Sequence, residues 1–234
     1  MSWLKKYVLS SIGKKQLMAV TGISLAGFLL VHFIGNVTLL IPDTKVREES
    51  FLLVAQTYAS LKFLLYIMEV GLLLLFAIHI FNAFYTWLEN RAARKQGYLV
   101  NTKVGDRGLP SFTMIISGIY LAVFVVWHVG TFKYGLAAPV VASSEFFKIP
   151  GVEGNLYSVV MYWFTTWYCA LFYVGAMLMV GSHLWHGVGS FFQTLGLNHP
   201  KYTPIVNFIG RCFALLIGLG NALLITIVFL REVV

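Results

Sequence analysis

The segments TGISLAGFLLVHF (residues 21–33) and SGIYLAVFVVWHV (residues 117–129) share one pattern, 96 positions apart. Both read Ser/Thr-Gly-Ile-x-Leu-Ala-x-Phe-x-x-x-His, with an apolar residue at each of the three places before the histidine. Each lies in an apolar run of the length that crosses a bilayer core as a helix, about 20 residues. An ionisable group at that depth is costly and marks function by default. The pair therefore decides two things together: these are membrane helices, and each delivers one imidazole to the same place.

The rest of the chain agrees. Of 234 residues, 59% are hydrophobic and 11% charged, against about 25% charged in a soluble domain. Five apolar blocks qualify as spans, at about 17–41, 61–88, 112–134, 156–190 and 204–230. The expected fold is all-α: one transmembrane domain over residues 1–234, a bundle of five spanning helices. The N-terminal run is too long for a signal-peptide core and is read as a retained first helix. Segment 51–66 has room for a short helix before the second span. Residues 146–155, with Pro150 and two glycines, and 196–204, with two prolines, read as loops.

The net charge of +8 invites a nucleic-acid reading, which its distribution removes. Lys5, Lys6, Lys14, Lys15, Arg91, Arg94, Lys95, Lys103, Arg107 and Lys201 fall on one side of a five-helix topology. Lys45, Arg47, Lys62, Lys133, Lys148 and Arg231 fall on the other. The positive-inside rule puts the richer side in the cytoplasm, with the N-terminus inside and the C-terminus outside. Cys169 and Cys212 lie apart in apolar blocks, with no Cys-x-x-Cys-His, so covalent c-type haem attachment is excluded on this chain, no Cys cluster suits zinc or iron–sulfur binding, and both read as small buried hydrophobes.

Five of the six histidines lie in apolar blocks. A second repeat, HIFNAFYTWL from His79 and HGVGSFFQTL from His186, has an offset of 107. At 1.5 Å per residue His32 and His128 each lie roughly 20 Å from the inner surface. His79 and His186 sit late in helices that run inward. The four sort into two pairs at two depths, each drawn from two helices. That is what two bis-histidine b-type haems need, one imidazole on each face of the ring from facing helices. Gly22, Gly27, Gly118, Gly130, Gly187 and Gly189 are placed to let a flat macrocycle approach the backbone. With both axial positions filled, electron transfer is the expected work. His183 competes with His186: the match to HIFNAFYTWL favours His186, while an alignment of Val70-Gly71 with Val174-Gly175 favours His183. The residue left over is a candidate propionate or proton partner. His199 reads as a loop residue.

The stretches LLVHFIGN, FAIHIFNAF, VVWHVGTF and SHLWHGVGSFFQTLG, in this order over nearly the whole chain, resemble the di-haem cytochrome b membrane subunit of succinate dehydrogenases and fumarate reductases. The single-chain, five-helix cytochrome b558 type of bacteria is the nearest form. The resemblance implies a chain in the bacterial cytoplasmic membrane that anchors a flavoprotein and an iron–sulfur subunit at the cytoplasmic face, with a dimer of such heterotrimers as the assembly. Succinate–fumarate chemistry then lies on the flavin, not on this chain. Two haems b pass electrons to or from a membrane quinone, commonly menaquinone, with His79 and His186 on the proximal haem and His32 and His128 on the distal one. Some relatives carry a glutamate two residues before the fourth ligand; Leu184 stands there here, and Glu69 in the second helix is the substitute candidate, as a proton relay or a neutral buried acid. Glu48, Glu49, Lys133 and Tyr134 are outer quinone or proton candidates. Lys15, Gln16, Gln193, Asn207 and Arg211 are inner propionate or second-site candidates. The rival readings are a b-type cytochrome of another respiratory enzyme, such as a hydrogenase or formate dehydrogenase, and a haem-free proton-coupled transporter.

Overall fold

The computed structural model describes residues 2–93, 109–134 and 156–234. Among the described residues eight helices follow in order: α1 (Trp3–Val8), α2 (Ser11–Asn36), α3 (Thr44–Ser60), α4 (Phe63–Ala92), α5 (Leu109–Tyr134), α6 (Leu156–Thr165), α7 (Trp167–Thr194) and α8 (Thr203–Val233). A short 3-10 turn, Val37–Leu40, extends α2. There is no strand among the described residues. Five helices are long and apolar enough to cross a membrane: Ser11–Leu40, Phe63–Ala92, Thr113–Tyr134, Trp167–Thr194 and Thr203–Val233. The chain is an all-α, multi-pass membrane bundle. The loop expected at 146–155, with Lys148, lies outside the described residues, as do Arg94, Lys95, Lys103 and Arg107.

Local chemistry sets the ends. The Ser10 hydroxyl accepts from the Gly13 amide at 3.0 Å and caps α2. Gly13 is required there, since a Cβ would lie 2.1 Å from the Tyr7 carbonyl oxygen. Asp43 caps α3 through the Val46 amide at 2.9 Å, and Pro204 opens the first turn of α8. The helix found between the first two spans is therefore longer than segment 51–66, because its cap lies upstream.

The fourth apolar block is not one helix. Thr165 and Thr166 each turn a hydroxyl back onto α6, donating to Met161 O and Tyr162 O at 2.8 Å. Thr166 takes an extended backbone, φ −83° and ψ 111°. Hydroxyls that compete for helix carbonyls end a helix without Gly or Pro. The short α6 so released packs on α7, α8, α3 and α5 and buries Tyr157, Trp163 and Phe164.

Around the bundle α4 packs on α2, α2 on α7, α7 on α5, and α5 closes on α4. Helices α2 and α5 thus form one diagonal, and α4 and α7 the other. Helix α8 lies along α7 outside this ring. There the backbones nearly touch: a Cβ on Gly218 would lie 2.6 Å from Gly181 Cα, and one on Gly210 would lie 2.7 Å from a Val188 methyl. Lipid offers no hydrophobic drive between helices, so small residues that allow such approach supply the association.

The end of the bundle holding α3, α6 and the tail of α8 is tied by one charge. Arg47 is 1% exposed. Its guanidinium donates to Tyr157 Oη at 2.9 Å and to Glu232 Oε1 at 2.5 Å. Burial works against its charge, but Tyr157 and Glu232 outweigh that, and its pKa is pushed up. Arg231 adds a bond to the Leu40 carbonyl at 2.8 Å.

Two outcomes test this packing. Gly218→Val is expected to lower stability in detergent by about 1–3 kcal/mol, read as earlier unfolding in a dodecyl sulfate titration. Gly187→Ala, where a Cβ meets nothing within 4 Å, is expected to leave the curve in place. Arg47→Ala removes a buried guanidinium and its bonds to Tyr157 and Glu232, the latter 30% exposed, and is expected to cost about 1.5–3 kcal/mol. A titration curve unmoved by the Arg47 change would contradict the latch.

Candidate functional site

The end at which α2 begins is called inner and the opposite end outer. His32 on α2 and His128 on α5 face each other across one diagonal, with ring centroids 5.8 Å apart and planes at 90°. His79 on α4 faces His183 on α7 across the other diagonal, at 6.4 Å and 67°. Neither pair is stacked. Two imidazoles that ligate one metal ion from opposite sides hold their nitrogens about 2 Å from it, which sets the centroids about 6–6.5 Å apart. Both pairs stand close to that spacing.

The ring that stands opposite His79 belongs to His183 rather than to His186. His186 is three residues on, about 60° round the helix, and is half-buried. The offset that superposes the two inward-running helices at the site is therefore 104, as the Val-Gly alignment has it, rather than 107.

The inner rings are anchored by the first two residues of the opening pattern. Thr21 donates its hydroxyl proton to Leu17 O at 2.7 Å, and its oxygen stands 3.3 Å from His79 Nδ1. The Met18 carbonyl stands 3.1 Å from the same nitrogen. A carbonyl only accepts, so Nδ1 carries the proton and Nε2 keeps its lone pair. Across the bundle, the Ser117 hydroxyl stands 3.1 Å from Met114 O and 3.1 Å from His183 Nδ1; when its proton goes to the carbonyl, its oxygen accepts from the ring. Met18 and Met114 are themselves 96 positions apart, so the repeat begins one turn earlier than its quoted start. Thr21 and Ser117 are 4% and 2% exposed.

The glycine after Thr21 stands closer to its ring than the glycine after Ser117 does. A Cβ on Gly22 would stand 3.0 Å from His79 Cε1, and one on Gly118 3.7 Å from His183 Cε1. Of the other glycines expected near a macrocycle, Gly27 and Gly187 have nothing within 4 Å of a Cβ. Gly189 abuts Asn207 at 3.1 Å, and Gly130 is buried.

The outer rings sit among aromatics instead. Phe28 stacks on His32 at 5.6 Å, and Phe124 on His128 at 5.6 Å. Phe132 and Tyr173 close on His128 edgewise or tilted, and the Tyr173 hydroxyl stands 3.4 Å from its Nδ1. From Thr21 to His32, and from Ser117 to His128, is eleven residues, so the two levels lie about 16 Å apart along the helices.

Among the described residues, three buried polar atoms lack a hydrogen-bond partner: Thr86 Oγ1, Thr131 Oγ1 and Trp163 Nε1. Thr131 follows His128 by one turn toward the outer end, and Thr86 follows His79 by two turns toward the inner end. Each orphan hydroxyl thus stands between a histidine level and the nearer end of the bundle. Lys14, which the sequence shows only as a charge, is 7% exposed. It pairs with Glu89 at 2.6 Å and lies 4.2 Å from the Tyr85 ring centre.

The remaining candidates divide. Glu69 is not a buried acid: it is 37% exposed and ion-paired with Lys133, so two outer candidates stand together. Glu48 and Glu49 lie on α3, Glu49 exposed, and Tyr134 is 60% exposed. At the inner end Lys15 and Gln193 are exposed, and Gln16 accepts from the Tyr7 hydroxyl. Arg211 is exposed and lies 5.4 Å from the Trp185 ring. Cys169 is buried, and Cys212 is exposed on α8 rather than buried as a small hydrophobe. His199 is a turn residue, its Nδ1 accepting from the Lys201 amide at 3.2 Å. An apolar groove of about 240 Å³ between α7 and α8, lined by Leu178, Trp185 and Leu219 among others, lies on the side of α7 away from His183.

Nitrogen NMR of the detergent-solubilised chain, prepared without metal or porphyrin, is expected to find His79 and His183 protonated at Nδ1 and bare at Nε2. A proton on Nε2 of His79 would contradict the Met18 bond. No family model, curated protein or solved structure matches this chain.

Proposed function

We propose that the chain is the di-haem membrane anchor of a succinate:quinone oxidoreductase, a succinate dehydrogenase or fumarate reductase, in the cytoplasmic membrane of a bacterium. The observation that carries the reading is the pair of cross-bundle imidazole couples, 5.8 Å and 6.4 Å between centroids. The donor set suits a b-type haem. Each couple supplies two neutral nitrogens and no carboxylate or thiolate, and among the described residues no cluster of three or more ligating side chains offers a protein-only metal cage. The four remaining positions round the ion would have to come from the ligand, which is what a porphyrin brings.

On this reading His79 and His183 hold the inner haem, and His32 and His128 the outer one. His183 replaces His186 in the assignment because its ring faces His79. Thr86, Thr131 and Trp163 are buried donors suited to propionate oxygens, displaced from the histidines toward the two ends. When bound, the two haems carry single electrons between the iron–sulfur subunit and a membrane quinone. The chain's own residues orient the imidazoles and pack Phe28, Phe124 and Phe132 round the outer pair; with both imidazoles bound, a haem there would be left to electron transfer. The Glu69–Lys133 pair at the outer end is a proton-accessible site beside that level, suited to a quinone, with menaquinone as the expected type. The N-terminus is inside, following the positive-inside count. Flavoprotein and iron–sulfur subunits dock at the inner face, and a dimer of heterotrimers is the expected assembly.

Reduced-minus-oxidised spectra and haem extraction from the purified chain test this. Two b-type haems per chain are expected. His128→Ala and His183→Ala are each expected to leave one, and His186→Ala to leave two. Absence of any b-type signal would sink the reading and leave a haem-free transporter. Two haems without a co-purifying flavoprotein would favour the cytochrome of another respiratory enzyme.

A further inference from the structure

Thr21 and Ser117 are used by neither the electron path nor the ligand set, yet they are among the most buried polar side chains in the structure, at 4% and 2% exposed. A spare hydroxyl in a membrane helix normally bonds its own carbonyl four residues back and needs nothing else. These two do more. Each spends its proton on its own helix, Thr21 on Leu17 O and Ser117 on Met114 O, and so turns a lone pair toward a histidine on a neighbouring helix. Both reach an Nδ1, and both belong to the inner pair, at 3.3 Å and 3.1 Å. The outer pair has no matching hydroxyl on the partner helix; Tyr173 stands 3.4 Å from His128 Nδ1.

We propose that Thr21 and Ser117 are positioning residues that fix the tautomer and the electron density of the two inner-haem ligands, a role that rests on the di-haem reading above. An imidazole that donates Nδ1–H to an oxygen is the better base at Nε2. Greater basicity favours the ferric over the ferrous ion, so these bonds hold the inner haem's potential below the value it has without them. The two sides are not equal. His183 has Ser117 alone at Nδ1, whereas His79 has Thr21 and the Met18 carbonyl, which stays when the hydroxyl is removed. Ser117 is therefore the more sensitive position.

Redox titration with optical readout, on membranes holding the full chain, tests this in Ser117→Ala, Ser117→Thr, Thr21→Val and the wild type. Haem content is measured on the same samples. Ser117→Ala is expected to raise the midpoint potential of one haem and leave the other where it was. Thr21→Val is expected to move the same haem the same way by less, and Ser117→Thr to restore the wild-type value. Loss of that haem in Ser117→Ala with recovery in Ser117→Thr also supports the proposal. Two haems with unmoved potentials in both hydroxyl-free chains overturn it while leaving the di-haem reading intact. A wild-type chain without a b-type spectrum overturns both. Should Ser117→Ala fail to insert, Thr21→Val decides alone.

Discussion

A neutral imidazole has one donor and one acceptor nitrogen, and in an apolar bundle neither can be left to lipid. An unpaired buried polar group costs about 1–3 kcal/mol. The inner level meets this demand on one side by a hydroxyl already saturated by its own helix, so its oxygen can only accept. That fixes the proton at Nδ1 and leaves Nε2 with its lone pair, on a ring whose centroid lies 6.4 Å from that of its partner. Much of the local sequence follows from it. A glycine after Thr21 eases the fit, because a Cβ at Gly22 would stand 3.0 Å from His79 Cε1. The next histidine of the same helix must come eleven residues after the hydroxyl to build the second level. The quoted pattern is therefore a description of two sites at once: its first two residues serve the inner pair, and its last residue belongs to the outer one.

The spans and the diagonal pairing of His32 with His128 were legible because period and composition carry them. The identity of the fourth histidine was not. The sequence match from His79 to His186 follows small residues and aromatics, which recur on many apolar helices. The ring that faces His79 is selected instead by where Ser117 and Gly118 stand on another helix, and a single strand of text does not hold that. The signal lay elsewhere in the chain: the hydroxyl–glycine step is repeated, and each copy needs a ring to serve. Thr166 illustrates another limit. A break made by back-bonding hydroxyls leaves no Gly or Pro, so an apolar count runs through it. The partner of Glu69 is hidden for a related reason. Its neighbours in sequence are apolar, but its neighbour in space is Lys133.

Inner and outer levels reach the same ring separation by different means. The inner rings are held by directional bonds to Thr21, Met18 and Ser117, which fix rotation about the ring axis. The outer rings are held between Phe28, Phe124, Phe132 and Tyr173, which fix the plane by contact area. Aromatic packing tolerates small rotations that a hydrogen bond does not. Two sites built on one repeat can thus differ in ligand basicity without a change of ligand, which is how a duplicated scaffold makes a pair of carriers that are not interchangeable.

Charge placement follows the same economy at both ends. At the outer end Arg47 is consumed by Glu232 and Tyr157, Lys133 by Glu69, and Arg231 by the Leu40 carbonyl. These cations hold the bundle together and present little free charge. At the inner end Lys14 is likewise consumed by Glu89, but Lys5, Lys6, Lys15 and Lys201 are exposed. Outer basic residues that exist to close α3, α6 and α8 against each other weigh against the orientation proposed here only in a count of letters. Lys45 and Lys62 are exposed at the outer end as well, so the inequality of the two faces rests on the count itself, and the richer face is the one where the inner histidine level lies.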